Sequence, residues 1–560
     1  MEATKRLRIL QWLIILIFLG ITCKLGVLQI AKNDIYRAQA ATGAPKETAI
    51  KRGDIFFQGR DGLFLAATEA IFYTVAIDSR KILDPQAVYE FLSTEFKLTR
   101  AEFATKTNDP TDPFEMIASK ISEEQYRSLE ARAPAGIVFV PLADRYYPGG
   151  TLAAHVLGFL GDSKDGRIGR YGIEQEFETV LAEESGQAPS SLLESFRGGL
   201  TFGTGESAVT LTIDPALQTY TEEALDHTLE QWQATRGGAI VMDPRTGKIL
   251  AMAGRPIFNP NEYQDVKNVG AFINPNIKNL YEMGSVMKPL TMASAFDSGA
   301  ARPTDTYFDA GFRMIDGYKV ENHDKKGRGT IPLQEVLNQS LNTGVIFLVE
   351  KMGINTFSSY FKKLNFGERT GIELPDVAGN IKNLNTSRLL EHATASFGQG
   401  IAMTPISLAR ALATIANNGV EPTPYIVAEV RHADGAVDKH TETAGTRVFG
   451  EAAANDVNKM LITVVDDALF QGKGKIEGYS VAAKTGTAQI ASTSGRGYTN
   501  ENLHSFFGYA PATNPRFIVL LYMERPIGGG FSSQTLTPPF KEIMSYALQY
   551  YQVPPDRQTQ

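Results

Sequence analysis

A single cysteine, Cys23, among 560 residues excludes an intramolecular disulfide and any thiolate-held metal cluster. Charge of one sign is also missing. The 55 Lys plus Arg against 62 Asp plus Glu leave a formal net charge of -7, without the basic excess of a dedicated nucleic-acid binder. The 7 histidines form neither H-E-x-x-H nor another ligand cluster, so no metal or other cofactor is expected. G-x-S-x-G is absent, which disfavours an ordinary Ser-His-Asp hydrolase. His323 beside Asp324 is the obvious donor for such a triad, and it reads instead as a turn histidine. No long apolar run follows residue 30, which excludes a polytopic membrane protein.

What is present begins with length, since 560 residues exceed what one hydrophobic core usually organises. Residues 9–30 are mostly apolar and would rise about 33 Å as a helix, enough to cross a hydrocarbon core of about 30 Å. Lys5, Arg6 and Arg8 precede the run, so the N-terminus is expected in the cytoplasm and everything after residue 30 outside. No small-x-small cleavage site follows, which favours an uncleaved anchor over a signal peptide. Residues 31–205 read as mixed strands, short helices and turns, with corners at Arg60-Asp61-Gly62 and Pro148-Gly149-Gly150. Residues 183–207, rich in Gly, Ser and Glu, read as the passage between two domains. Beyond it, a helical segment through Trp232 precedes two apolar β-type runs, 238–242 and 248–252, around a Pro and Gly turn. Thr404-Pro405 opens an amphipathic helix that ends at Asn417-Asn418-Gly419. Strands at 505–510 and 516–523 and a helix at 539–550 complete a pattern of helices beside a mainly antiparallel sheet, an α+β arrangement.

The chemistry centres on Tyr281-Glu282-Met283-Gly284-Ser285-Val286-Met287-Lys288-Pro289. Ser285 falls at a helix start and Lys288 one turn on, so that the amine reaches the hydroxyl. A serine needs an adjacent base to be a useful nucleophile, and a lysine serves if burial or positive charge lowers its pKa. S-x-x-K alone is weak, because a chain of this length holds about two by chance. Ser359-Tyr360-Phe361-Lys362 fits the pattern and reads as an ordinary helix face. Company in a fixed order strengthens the first copy: Ser340-Leu341-Asn342 follows Ser285 by 55 residues, and Lys484-Thr485-Gly486-Thr487 by 199. Arg245-Thr246-Gly247 and Arg369-Thr370-Gly371 read as turns, each leading into a short β-type run, whereas Lys484 to Thr487 lie inside a β-like stretch where glycine permits close approach of a ligand.

These three motifs resemble those of penicillin-binding proteins and serine β-lactamases. Arg52-Gly53-Asp54-Ile55, Arg145-Tyr146-Tyr147-Pro148, Ala154-His155-Val156-Leu157-Gly158 and Tyr171-Gly172-Ile173-Glu174 resemble the pedestal module of class B penicillin-binding proteins. Gly371-Ile372-Glu373-Leu374-Pro375 resembles the transpeptidase domain of that class. The single anchor and residues 281–289 are most similar to the division-specific, septal type, except that Met283 stands where proline is common. The resemblance implies a cytoplasmic N-terminus (1–8), an anchor (9–30), a pedestal or dimerisation-like domain (31–205), a transpeptidase domain (206–552) with an antiparallel sheet flanked by helices plus an all-helical lobe, and a tail (553–560). It implies a peptidoglycan D,D-transpeptidase, inhibited by β-lactams and working beside a membrane glycan polymerase and division proteins; a D,D-carboxypeptidase, a β-lactamase or a silent scaffold share the fold. By the same resemblance Ser285 is the nucleophile, Lys288 its base, and Ser340 the proton path between Lys288 and Lys484. Asn342 holds the substrate amide, Thr485, Gly486 and Thr487 bind the substrate, and the N–H groups of Ser285 and Thr487 form the oxyanion hole. Lys484 is expected to depress the pKa of Lys288 through its positive field. A class A β-lactamase would add Glu-x-x-Leu-Asn, and Glu335-Val336-Leu337-Asn338 falls one residue short.

Overall fold

The structure, a computed structural model, describes residues 52–108, 113–164, 166–182, 207–492 and 497–558. The apolar run at 9–30 lies outside them, as does the passage at 183–206. Among the described residues no helix is long and apolar enough to cross a membrane. By internal contacts the described chain forms two units: Glu69–Tyr146, and Arg52–Thr68 together with the chain from Tyr147 onward.

Strand β1 (Asp54–Gly59) turns at Arg60-Asp61 into the long strand β2 (Gly62–Asp78), with Gly59 opposite Gly62. The later part of β2 belongs to the smaller unit. There the chain continues through α1 (Pro85–Phe96), α2 (Arg100–Thr107), β3 (Phe114–Ile121), α3 (Glu123–Glu130) and β4 (Ile137–Tyr146), and both β3 and β4 pair with β2. Helix starts are set locally. The Asp84 side chain accepts from the first turn of α1, and Thr99 with Glu102 and Ser122 with Gln125 form reciprocal capping boxes. Ile77, Val88, Leu92 and Phe103 make the small core.

The larger unit draws its N-terminal motifs into one buried knot. The Arg52 guanidinium donates to Glu174 and to Glu178, each at 2.7 Å, and the Tyr147 hydroxyl donates to Glu174 at 3.1 Å. Strand β1 runs parallel to β5 (Ala208–Leu211). Helix α4 (Pro215–Gln231), capped by Asp214 with proline in its first turn, leads to β6 (Arg236–Met242) and β7 (Ile249–Arg255). Then come α5 (Lys288–Asp297), β8 (Thr306–Asp309), β9 (Phe312–Ile315), β10 (Tyr318–Glu321), β11 (Gly329–Pro332), α6 (Asn342–Met352) and α7 (Ile354–Lys363). The chain closes with α8 (Pro405–Ala416), β12 (Val427–Arg431), α9 (Glu451–Thr463), β13 (Ala482–Ala491), β14 (Tyr498–Ala510), β15 (Phe517–Glu524), α10 (Ser532–Thr535) and α11 (Thr537–Tyr550).

The principal sheet has the order β13-β14-β15-β6-β7 and is antiparallel throughout. Every residue of β7 and β15 is buried, because helices cover the sheet. Helices α4 and α11 pack against each other and the sheet, with Tyr220 stacked on Tyr546 at 4.1 Å.

Three expectations need correction. The run from Thr404-Pro405 is a helix, its first turn capped by the Thr404 hydroxyl, but its polar face does not meet solvent: all of its residues are buried. Arg410 is answered there by Glu421 at 3.5 Å and by the Asn365 carbonyl at 2.8 Å, so its charge is compensated inside the protein. The second lobe is not all-helical. Beside α5, α6, α7 and α9 it carries two antiparallel ribbons, β8 with β11 and β9 with β10, the latter turning at Asp316-Gly317. Residues 371–375 form no strand, because the Asp376 carboxylate accepts from the N–H and hydroxyl of Thr370 at 2.6 and 2.8 Å and closes the segment into a loop.

Candidate active site

Ser285 lies in a 3₁₀ turn, Gly284–Met287, that runs directly into α5 at Lys288. It is partly exposed while Met283, Gly284, Val286, Met287 and Lys288 around it are buried, so the turn presents one hydroxyl to solvent from an otherwise packed segment. The turn is pinned from several sides. The Ser505 hydroxyl donates to the Met283 carbonyl at 2.7 Å, the Gly284 N–H to the Gly398 carbonyl at 3.1 Å, and the Thr291 hydroxyl to the Ser396 carbonyl at 2.8 Å. Two glycines make this packing possible. At Gly398, with φ +82°, a Cβ would lie 2.3 Å from the Gly284 carbonyl oxygen; at Gly486 it would meet Ser505 Oγ at 2.4 Å and the Met283 carbonyl oxygen at 2.7 Å.

Lys288, Ser340 and Lys484 converge. Ser340 adopts a left-handed conformation, φ +54°, a strained choice for serine that turns both its oxygens toward Lys288. The Lys288 amine donates to the Ser340 carbonyl at 2.5 Å and lies 3.3 Å from its hydroxyl oxygen. The Lys484 amine donates to the same hydroxyl oxygen and to the Thr485 carbonyl, both at 3.1 Å. One hydroxyl therefore bridges two amines that are 196 residues apart in the chain.

Burial of the two lysines sets their chemistry. Lys288 is completely buried and Lys484 nearly so. Loss of hydration holds the Lys288 amine well below its ordinary value, and the neighbouring Lys484 charge adds to that in second place. The expected contribution of the Lys484 field is thus present, second to burial. Burial alone brings Lys484 down to about 7.

Asn342 opens α6, and its amide N–H donates to the Glu321 carbonyl at 2.9 Å, which leaves its oxygen facing no partner among the described residues. Behind it, buried Asp309 accepts from the Thr343 hydroxyl at 2.8 Å, the Asn322 amide at 3.0 Å and the Gly311 N–H at 2.8 Å. This cluster fixes the start of α6.

Strand β13 is an edge of the principal sheet, so part of its backbone lacks a ladder partner. Lys484 and Gly486 stand opposite Phe507 and Ser505, and Thr485 and Thr487 alternate with them on the other face. The Thr487 hydroxyl accepts from the Ser532 N–H at 3.2 Å at the start of α10. The Ser359 and Lys362 copy of S-x-x-K lies exposed on α7, and Arg245-Thr246-Gly247 forms the turn between β6 and β7. Asp324 is taken by Arg328, at 2.9 and 2.7 Å, so it does not orient His323.

Residues 237–545 match the model of the penicillin binding protein transpeptidase domain. The chain belongs to that family. Residues 47–192 match the penicillin-binding protein dimerisation domain, and the two modules on one chain make this a class B penicillin-binding protein. This class B penicillin-binding protein is 28% identical over 545 residues to stage V sporulation protein D of Bacillus subtilis, covering 94% of this chain and 83% of that one. It is 29% identical over 461 residues to the peptidoglycan D,D-transpeptidase FtsI of Escherichia coli, covering 80% and 75%. Penicillin binding protein 3 of Mycobacterium tuberculosis, solved in complex with aztreonam, superposes with a TM-score of 0.65 at 27% identity over 74% of this chain and 92% of that one.

Proposed function

We propose that this penicillin-binding protein is a peptidoglycan D,D-transpeptidase of cell-wall synthesis, acting at the division septum through a serine acyl-enzyme. The observation that carries this reading is the Ser340 hydroxyl shared by two buried amines, Lys288 at 3.3 Å and Lys484 at 3.1 Å. An amine kept neutral by burial accepts the Ser285 proton, and Ser285 Oγ attacks the carbonyl of the penultimate D-Ala of a stem peptide. The proton travels from Lys288 through Ser340 to the departing D-Ala amine. Peptide added along the free edge of β13 places its terminal carboxylate near Lys484 and the hydroxyls of Thr485 and Thr487, while the Asn342 oxygen takes a substrate amide N–H. The N–H groups of Ser285 and Thr487 bind the developing oxyanion. An amine of a neighbouring stem then takes the acyl group and closes the cross-link.

The wider reading follows from the same family membership. Residues 9–30 anchor the chain in the bacterial cytoplasmic membrane with the N-terminus inside, 31–205 serve as the pedestal on which a glycan polymerase and division proteins dock, and 206–552 catalyse. β-Lactams acylate Ser285 as mimics of D-Ala-D-Ala. Their adduct is long-lived, because the chain has no Glu-x-x-Leu-Asn segment to activate a deacylating water; Glu335, in the segment one residue short of it, bonds instead to the side chains of Asn338 at 3.0 Å and Gln339 at 2.6 Å. Labelling with a fluorescent penicillin tests the assignment: wild type is expected to label and Ser285→Ala to stay dark. Failure of the first, or survival of labelling in the second, refutes it.

A further inference from the structure

Cross-linking has a proton requirement that Lys288, Ser340 and Lys484 do not meet between them. An alkylamine with a pKa near 10.4 arrives at neutral pH as R–NH3+. To become an amide N–H it must lose two protons, and only one of them returns to Ser285 Oγ when the ester breaks. The amines of Lys288 and Lys484, already held on Ser340, form the path for that returning proton. The other proton needs a separate base at the mouth of the cleft.

His323 stands there. Its loop is bolted to motif two: Asn342 donates to the Glu321 carbonyl at 2.9 Å, the Thr343 N–H donates to the Asn322 side-chain oxygen at 3.2 Å, and the Asn322 amide donates to Asp309 at 3.0 Å. From the opposite side its ring meets Phe531 edge-on, with centroids 5.7 Å apart and planes at 80°. Phe531 immediately precedes Ser532, whose N–H donates to the Thr487 hydroxyl of motif three. His323 therefore bridges the two walls between which substrate must lie. It is exposed to solvent, and neither ring nitrogen is hydrogen-bonded by a described residue. The charged groups that face it are Asp324 and Arg328 from its own loop, Lys288 from α5 and Lys484 from β13. Partial loss of hydration comes first in lowering its pKa; Asp324, whose carboxylate is committed to Arg328, opposes the shift, and the basic groups around it add to it. The ring is neutral at neutral pH and has a nitrogen available to accept.

We infer that His323 is the base for the acceptor half-reaction, taking the first proton from the incoming ammonium; this rests on the transpeptidase reading above. The neutral amine then attacks the ester carbonyl on Ser285 and the C–N bond forms. As the tetrahedral adduct collapses, the C–Oγ bond breaks, and the second amine proton passes through Ser340 and Lys288 to Ser285 Oγ. The imidazolium sheds its proton to water, and the enzyme is restored.

The test uses the full-length protein in detergent, with a thioester donor and a D-amino acid as acceptor. Formation of the acyl-enzyme, and the partition of that acyl-enzyme between aminolysis and hydrolysis, are followed from pH 5.5 to 9.5. For His323→Gln, which keeps a polar side chain against Phe531, aminolysis is expected to fall tenfold or more at pH 7. Its rate should then climb with pH toward the pKa of the acceptor amine, where wild type has already levelled off. The acylation rate should fall much less than aminolysis. Phe531→Leu, which removes the ring contact but keeps the imidazole, should retain the wild-type pH profile. Unchanged partition and profile in His323→Gln overturn the inference, as does an equal loss of acylation and aminolysis, which would mark the loop as a prop. A wild type that never forms an acyl-enzyme overturns instead the transpeptidase reading.

Discussion

Gly486→Ala tests whether the nucleophile is positioned by the strand behind it. The added methyl would lie 2.7 Å from the Met283 carbonyl oxygen, against ordinary contact at 3.4 Å, so that carbonyl must retreat by about 0.7 Å. It would also lie 2.4 Å from Ser505 Oγ and 3.1 Å from the Val286 nitrogen, so the strain falls on both sides of Ser285. Overpacking of this kind costs about 1–3 kcal/mol, a lowering of Tm by a few degrees that leaves the protein folded. Catalysis should suffer more, since a displacement approaching 1 Å at a reacting centre costs about 10²-fold. Stopped-flow acylation by a fluorescent penicillin, on protein shown by calorimetry to be folded, is expected to slow by about 30- to 100-fold. Adding Ser505→Ala removes the nearest clash but leaves the Met283 contact and deletes the bond that holds Met283, so the double variant should not recover. A folded Gly486→Ala protein that acylates within threefold of wild type would refute the reasoning.

Other expectations are narrower. Lys484→Met should abolish acylation yet raise Tm at pH 7, because it removes a buried amine. Folded Lys484 titrates at about 7 against about 10.4 unfolded, so between those values the unfolded chain binds more protons and wild-type stability rises with pH; the Tm gap should close as pH goes from 7 to 10, and a constant or widening gap in scanning fluorimetry contradicts this. Arg52→Ala leaves the fully buried Glu174 carboxylate without its cationic partner, at a cost of about 3–5 kcal/mol, read as a lower urea midpoint. Unchanged unfolding there would mean that the knot is not structural. The exposed pair on α7 is the control: Ser359→Ala and Lys362→Ala should alter neither penicillin labelling nor Tm beyond error.

The motifs were readable in the sequence because each is a short pattern whose geometry is local: a helix start sets Ser285 in the 3₁₀ turn and Lys288 at the first position of α5, and alternation along a strand sets Lys484 and Gly486 on one face. What holds them was not readable. Ser505 lies 220 residues beyond Ser285, a serine inside an apolar strand with no local mark of its role. Asp309, Asn322 and Thr343 are ordinary turn and helix residues until the fold brings them together. Gly398-Gln399-Gly400 was visible as a pair of glycines, a signal of close backbone approach that could have pointed to the turn it supports. The depressed Lys288 value belongs to burial, a property of the assembled core that no spacing reports. For α8 the amphipathic pattern does not report that Ser407, Arg410 and Thr414 are all buried, and only the assembled fold supplies Arg410 with its partners, the Asn365 carbonyl and Glu421.

The pinning of the Ser285 turn by Ser505 also has a bearing on time. Strand β6 pairs with β15, α4 stacks on α11, and the nucleophile's own turn leans on β14, so the site is stitched from segments made early and late in synthesis. A nascent chain that has emerged only as far as residue 490 carries all three motifs and still lacks the strands that order them. Pairing across such separations is slow to form, and a partly made chain leaves a strand edge open to mispairing. Reactivity at Ser285 should therefore appear late and all at once, so that a ribosome-stalled chain ending near residue 490 carries the nucleophile without its reactivity.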